Sequence, residues 1–267
     1  MIVIKIGGSV VDGLHDSTML DLKDVASHDK VILVHGGGKE VTSIAEKLGK
    51  EQKFVVSPGG IRSRYTDKET AEIYTMVMSG KINKEIVLML QRNGINAIGL
   101  SGVDGGIIKA ERKKKLIIVD ERGRKVAIDG GYTGKITTVN SSLLQSVIES
   151  GYVPIISPVA LSEEFDLLNV DGDRAAAYVA GSVKADRVIF ITNVNGLMMD
   201  NKLVTKLTVS EAKKILPKIG FGMEKKVLAC TEAVRMGVKE AIIASGQVSN
   251  PISSALKHDN CTVISGE

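Results

Sequence analysis

Two stretches decide the reading: Met1-Ile2-Val3-Ile4-Lys5-Ile6-Gly7-Gly8-Ser9, and Val31-Ile32-Leu33-Val34-His35-Gly36-Gly37-Gly38-Lys39. Each is a short apolar run that stops on glycines. Neither run alternates apolar with polar, so each reads as a strand buried on both faces, the pattern of a parallel sheet. The glycines then fall at the carboxyl ends of the strands, where open α/β sheets bind ligands. Glycine lets an anion approach backbone N–H groups, and the N-terminus of a following helix adds partial positive charge. Two such loops predict a phosphate or carboxylate site, although each alone is also what a tight turn needs. Neither a G-x-x-x-x-G-K-[ST] loop nor a G-x-G-x-x-G fingerprint fits.

Outward from these loops the rhythm repeats. Further strand candidates are 97–100, 153–156, 187–192, 240–243 and 262–264. Helical patterns lie between them at 39–48, 68–80, 84–93, 141–150, 173–183, 210–216 and 223–236. The alternation predicts an α/β fold, a three-layer αβα sandwich around a mostly parallel sheet. The stretch 107–133 breaks the rhythm. Its short strand-like runs flank Glu121-Arg122-Gly123-Arg124, a turn signal, and read as antiparallel hairpin ribbons added to the main sheet. It carries Lys109, Arg112, Lys113, Lys114, Lys115, Arg122, Arg124 and Lys125, which fit either a solvated ribbon kept from aggregating by charge or a docking surface for an acidic partner.

Two more signals carry chemistry. Asn169-Val170-Asp171-Gly172-Asp173 precedes a helix that opens with three alanines at 175–177, small enough to let it approach a neighbour closely. Either aspartate can cap that helix, which leaves the other, with Asn169, unexplained. In Gly222-Met223-Glu224-Lys225-Lys226, Lys226 stands near the start of a helix whose Met223, Val227, Cys230 and Val234 share one face.

Composition narrows the classes. The chain has 267 residues, 43% hydrophobic and 25% charged, as an ordinary globular protein does. The net charge is +4, Trp is absent and aromatic residues are 3%, which argues against a nucleic-acid binder. No apolar run reaches the roughly 20 residues that cross a bilayer, and the N-terminus lacks a signal-peptide plan, so a cytoplasmic location is expected. Two cysteines, Cys230 and Cys261, rule out a disulfide framework and a cysteine zinc site. His15, His28 and His258 have no ligand spacing, and His35 reads as support for its loop.

In this order the signals resemble the amino acid kinase superfamily, within it the acetylglutamate kinase branch, over almost the whole chain. Lys5-Ile6-Gly7-Gly8-Ser9 looks like the family's first-strand lysine loop and His35-Gly36-Gly37-Gly38 like its substrate loop. Arg64-Tyr65-Thr66-Asp67 resembles the arginine-x-Thr-Asp segment, Asn169 to Asp173 the Asn-x-x-x-Asp motif, and Lys226 the nucleotide-side lysine. Thr192-Asn193-Val194-Asn195-Gly196-Leu197 resembles the nucleotide-binding turn, with Asn193 where aspartate is commoner. Two departures stand out. The loop Ser57–Arg64 looks about two residues longer than in acetylglutamate kinases and offers Arg62 beside Arg64, and the stretch 109–115 is basic. Both are similar to the archaeal and thermophile members that phosphorylate an amino acid carried on an acidic amino-group carrier protein, LysW.

The resemblance implies that the γ-phosphoryl group of ATP, with Mg2+, passes to a side-chain carboxylate of carrier-linked α-aminoadipate, in lysine biosynthesis, or of carrier-linked glutamate, in arginine biosynthesis. Lys5 and Lys226 would be catalytic and Asp173 would orient them. Gly36, Gly37, Arg64 and Asn169 would bind the acceptor, Gly8 and Gly38 phosphate, and Thr192, Asn193, Asn195, Gly196 and Leu197 the nucleotide. Residues 1–172 would form a substrate-binding and dimerisation lobe and 173–267 a nucleotide-binding lobe of a homodimer, with no dedicated metal cage. The alternatives are an N-acetyl-L-glutamate kinase and, in another class, a non-catalytic nucleotide-binding protein on this fold.

Overall fold

The computed structural model describes residues 1–8, 16–220 and 222–267; Ser9 and His15 lie outside the described residues. From the N-terminus, β1 (Ile2–Ile6) leads to α1 (Asp16–His28), β2 (Val31–His35) and α2 (Gly38–Lys47). A hairpin of β3 (Phe54–Val56) and β4 (Arg62–Arg64) precedes α3 (Lys68–Thr75), a π-helical stretch (Met76–Ile82), α4 (Asn83–Arg92) and β5 (Ala97–Ser101). Next come β6 (Ile108–Arg112), β7 (Lys115–Val119), β8 (Lys125–Asp129) and β9 (Gly134–Val139). Then follow α5 (Ser141–Glu149), β10 (Val153–Ser157), β11 (Val159–Leu161), β12 (Leu167–Asn169), α6 (Gly172–Ser182) and β13 (Arg187–Thr192). The chain ends through β14 (Met198–Met199), β15 (Lys202–Leu203), β16 (Lys206–Thr208), α7 (Val209–Ile215), α8 (Met223–Arg235), β17 (Glu240–Ser245), α9 (Pro251–Leu256) and β18 (Thr262–Ser265).

The main sheet has eight strands in the order β16-β18-β17-β13-β1-β2-β10-β5. Every neighbouring pair is parallel except β17 with β18. Successive residues of a strand face opposite sides. Accordingly Val3, Ile32, Val34 and Phe190 pack into one core, with α6 and α8, while Ile2, Ile4, Leu33 and Ile189 pack into a second core, with α1 and α4. That is why these strands are apolar without alternation and why the molecule has three layers. The alanines Ala175, Ala176 and Ala177 are fully buried, so α6 lies close against both β1 and α8.

The ribbons exist, but they do not extend the main sheet. β6 and β9 join β11 and β12 in a separate four-stranded sheet, and β7 with β8 forms a free-standing pair. The cause is the exit from β5. Gly105 and Gly106 adopt φ of 58° and 62°, a left-handed turn that glycine makes without strain, and it carries β6 away to pair with β11. The β7–β8 turn is as expected from its residues. The Asp120 carboxylate accepts from the Arg122 and Arg124 amides at 2.9 and 2.8 Å, and Gly123 takes φ of 76°. The helical pattern at 68–80 stops early as a regular α-helix, because it passes through the π-helical stretch before continuing as α4. Among the described residues no helix is long and apolar enough to cross a membrane.

Candidate active site

Lys5 is the fourth residue of β1, in the centre of the main sheet, and its side chain leans toward the start of α6. There Asp173 receives it. Lys5 Nζ lies 2.6 Å from Asp173 Oδ1, and Lys226 Nζ, from the first turn of α8, donates to Oδ2 at 2.9 Å. The Lys5 and Asp173 side chains are only 9% and 7% exposed, so the three charges sit in a nearly dry place where their attraction is little screened. Burial by itself would push the Asp173 carboxyl up, but the two ammonium groups outweigh it and hold the acid far below the ordinary carboxylate range. Asp173 is free for this task because its neighbour does the capping. Asp171 Oδ1 accepts from the amides of Asp173 and Arg174 at 3.0 and 3.1 Å.

The two glycine loops meet backbone to backbone. A Cβ on Gly8 would stand 2.7 Å from Gly37 N, and one on Gly36 would stand 2.8 Å from Gly8 N. Only glycines let the loops touch. A Cβ on Gly37 would run into Ile82 Cδ1 and Met78 Sδ, the side chains that the π-helical stretch pushes toward the loop. At Gly38 a Cβ would meet only Arg64 Nη2, at an ordinary contact distance of 4.0 Å. α2 and α8 both start on glycine, Gly37 and Gly222, with no side-chain cap, whereas α3, α5, α6 and α7 are capped by Asp67, Asn140, Asp171 and Thr208. The first amides of α2 and α8 are therefore left for something other than their own N-cap side chain.

His35 closes the second strand and is buried. Its Nδ1–H donates to Gly36 O at 3.0 Å, and its Nε2 accepts from Asn83 Nδ2 at 3.3 Å. Burial, with Lys5 and Lys84 nearby, lowers its pKa to about 4 against the pull of the Gly36 carbonyl. A neutral imidazole thus braces the loop, as the sequence reading expected.

The segment Arg64-Tyr65-Thr66-Asp67 divides three tasks. Arg64 is buried, and its guanidinium donates to Gly38 O at 2.7 Å, to Thr42 Oγ1 at 2.9 Å and to Gln52 Oε1. Thr66 Oγ1 accepts from Asn169 Nδ2 at 2.9 Å. Asp67 caps α3 through the Thr70 amide and takes Lys50 at 2.8 Å. Arg62, by contrast, is exposed and lies over the Phe54 ring, 4.2 Å from its centre.

A cavity of about 530 Å³ joins these parts. Lys5, Gly36, Gly37, Gly38, Arg64, Asn169 and Asp173 line it, and Lys226 reaches the same centre through Asp173. Gly8 supports the lining from behind Gly36 and Gly37. The residues 192–197 lie outside that wall, at the carboxyl end of β13. Of these, Asn193 and Asn195 are exposed, while Leu197 is buried in the core with its amide donating to Thr262 Oγ1 at 2.8 Å. Several lining residues were not anticipated. Tyr74 and Met78 come from the helical run behind the loops, and Leu116, Ile117 and Ile118 come from β7. Arg174 and Lys113 also face in, the former held to Glu232 at 2.9 and 2.6 Å. Arg174 carried a faint signal, because it directly follows Asp173. Nothing in sequence pattern points a ribbon lysine at the strand ends.

Residues 1–245 match the sequence profile of the amino acid kinase family. The chain is 70% identical to a protein of Nitrosopumilus maritimus assigned LysW-aminoadipate/LysW-glutamate kinase activity, and 47% identical to a LysW-aminoadipate/LysW-glutamate kinase of Saccharolobus islandicus, each covering both chains in full. Among solved structures, the N-acetylglutamate synthase of Neisseria gonorrhoeae superposes with a TM-score of 0.80 at 19% identity, over 100% of this chain and 59% of that one. A carbamate kinase of Giardia lamblia gives 0.65 at 16%, over 100% and 98%. At these identities the two structures speak for the fold.

Proposed function

We propose that this chain, which belongs to the amino acid kinase family, transfers the γ-phosphoryl group of ATP to the side-chain carboxylate of an amino acid carried on an acidic protein of the LysW type. The product is an acyl phosphate, α-aminoadipyl in a lysine-biosynthetic step, with glutamyl as a second substrate. The observation that carries the reading is the buried Lys5–Asp173–Lys226 centre at the end of a cavity fitted for carboxylates.

The chemistry needs little else. An anion attacks an anion, so the barrier is mostly charge and position. Lys5 meets the transferring group from the acceptor side and Lys226 from the nucleotide side. Asp173 keeps both ammonium groups in place before substrate arrives, so they need not reorganise during the reaction. Gly8, Gly37 and Gly38 supply backbone donors to the phosphates. Arg64 and Asn169 hold the α-side groups of the acceptor, the arginine as a fork on the α-carboxylate. The acceptor carboxylate is already ionised near pH 7, so no general base is required. The neutral His35 adds no charge to the centre. Thr192, Asn193, Asn195, Gly196 and Leu197 shape the nucleotide side, so that residues 1–172 serve the acceptor and residues 173–267 the nucleotide. Both oxygens of Asp173 are taken by lysines, and no group of three His, Cys, Asp or Glu side chains suited to a metal exists among the described residues. The Mg2+ ion is expected to come with the ATP phosphates. The working state is a cytoplasmic homodimer.

The test is acyl-phosphate formation with ATP from three acceptors: carrier-linked α-aminoadipate, carrier-linked glutamate and free N-acetylglutamate. The carrier-linked amino acids should show the higher kcat/KM. A preference for free N-acetylglutamate overturns the carrier and leaves the acyl-phosphate chemistry.

A further inference from the structure

The cavity holds more cations than its own carboxylates can answer. Lys5, Arg62, Arg64, Lys113, Arg174 and Lys225 line it, against Asp171 and Asp173. Three of the six have partners. Lys5 is on Asp173, Arg174 is on Glu232, and Lys225 lies 3.9 Å from Asp171 Oδ2. Arg64 donates only to neutral groups and, on the reading above, takes the acceptor's α-carboxylate. Arg62 is exposed over the Phe54 ring. Lys113 is different from all of these. It is half-buried, faces the cavity, and has no carboxylate within 4 Å among the described residues.

Its position is built. The Lys113 amide donates to Thr133 O at 2.9 Å, and Gly130 packs so tightly on the Lys113 carbonyl that a Cβ there would lie 1.6 Å from its oxygen. The turn between β6 and β7 is thus pinned, and the side chain projects from a fixed base. Burial, and then the neighbouring Arg174 and Lys135, lower the pKa of the ammonium group, with Asp171 opposing. A cation kept beside cations, away from full hydration, stabilises nothing in the chain alone and strongly favours an anion placed against it.

We propose that Lys113 is a specificity-determining residue that binds a second, non-reacting carboxylate, one carried by the group attached to the acceptor's amino nitrogen. The inference rests on the acyl-phosphate reading and goes further, because it says what the linking group must carry. An acetyl group has no such carboxylate, whereas a linking residue with a free carboxyl group of its own would supply one.

The probes are N-succinyl-α-aminoadipate, whose acyl group ends in a carboxylate, and N-acetyl-α-aminoadipate, whose acyl group does not. Each is titrated calorimetrically into the wild-type enzyme, Lys113→Met and Lys113→Arg. The wild type should bind the succinyl compound about tenfold or more tightly than the acetyl one, as expected for a charge-assisted contact in a half-buried site. Lys113→Met should abolish that preference and leave acetyl-compound binding unchanged, and Lys113→Arg should keep it. A wild type without preference, a Met variant that retains it, or equal loss for both compounds overturns the inference. Acyl-phosphate formation is measured separately. If the wild type forms none from any acceptor, the proposed reaction falls while the binding result still decides the role of Lys113.

Discussion

The cavity has two walls of opposite construction. One is the strand-end wall of Lys5, the loop Gly36–Gly38 and Asp173, rooted in strands buried on both faces. Its charges are paired at 2.6 and 2.9 Å, and its loops touch so closely that only glycine fits. The other is the hairpin wall of β3–β4 and β7–β8, two-stranded pairs with exposed Phe54, Ile117 and Val126. Arg62 there rests on the Phe54 ring and Lys113 has no carboxylate partner among the described residues, while Arg64 reaches back to Gly38 O, Thr42 and Gln52. The difference separates two tasks. Charge stabilisation requires groups that do not move, so it sits on the central sheet. Selection among acceptors requires only complementarity to what arrives, and short ribbons supply that without disturbing the core.

Removing Asp173 is the strongest way to test this division. Asp173→Ala should lower kcat by about a hundredfold to a thousandfold, the scale of losing a preorganised charge contact. Two buried ammonium groups would then face each other unanswered, so stability should also fall by about 3–5 kcal/mol. Asp173→Asn keeps the shape and should lose activity with a smaller drop in thermal midpoint. Steady-state kinetics and thermal unfolding decide it. A near-normal kcat in either variant would remove Asp173 from the reaction centre.

His35 offers a second test on the same wall, with a sign opposite to that of a histidine that gains a carboxylate partner on folding. Its pKa is lowered from 6.5 to about 4 in the folded chain, first by burial. Between those values the unfolded chain binds a proton that the folded chain refuses, so stability falls as pH drops from 6.5 toward 4. Below the folded value the loss levels off. Its full size is on the order of 3 kcal/mol. His35→Gln, which keeps a donor and an acceptor, should flatten the dependence in that window. Urea unfolding of both forms at several pH values measures it, and parallel curves would show that the imidazole is not the titrating group.

The strand-end wall was legible in the sequence and the hairpin wall mostly was not. β1 at Ile2–Ile6 and β13 at Arg187–Thr192 coincide with their expected spans, because unbroken apolar stretches such as Val188–Ile191 mark strands buried on both faces. The glycines, Lys5, Asp173 and Lys226 meet because family order fixed them on neighbouring strand ends and facing helices. The choice of Asp171 as the cap needed the backbone geometry. α1 at Asp16–His28, with its sparse apolar face, gave no clear period, and β3 and β11, of three residues each, are too short to show one. The basic stretch 109–115 looked like a single charged surface, yet its members part ways. Arg112 stacks 4.2 Å over Tyr132 and lies 3.6 Å from Asp166, Lys113 turns into the cavity, and Lys114 and Lys115 face solvent. Which face a ribbon residue takes depends on pairing partners far along the chain, such as Lys115 opposite Asp129.

That splitting reduces the docking argument to fewer residues and makes it sharper. Repulsion among the five cations at 109–115 no longer needs an acidic partner to explain it, because two of them, Arg112 and Lys113, are answered or enclosed. What remains is exposed positive charge on the outer ribbon, notably Lys114 and Lys125, neither with a carboxylate partner among the described residues. If an acidic carrier docks there, these lysines act at long range on encounter rather than on chemistry. The double variant Lys114→Glu/Lys125→Glu should then raise KM for the carrier-linked acceptor about threefold to tenfold at low salt, and the difference should shrink above about 0.15 M salt, where charges a Debye length apart are screened. kcat at saturation should stay within about twofold and stability within about 0.5 kcal/mol, since exposed charges contribute little to folding. Lys113→Met should behave in the opposite way, with an effect that survives high salt because its partner would sit against it in the cavity. If the double variant leaves KM unchanged at low salt, the outer ribbon is only a solvated edge, and selection of the acceptor rests wholly on the residues that face inward.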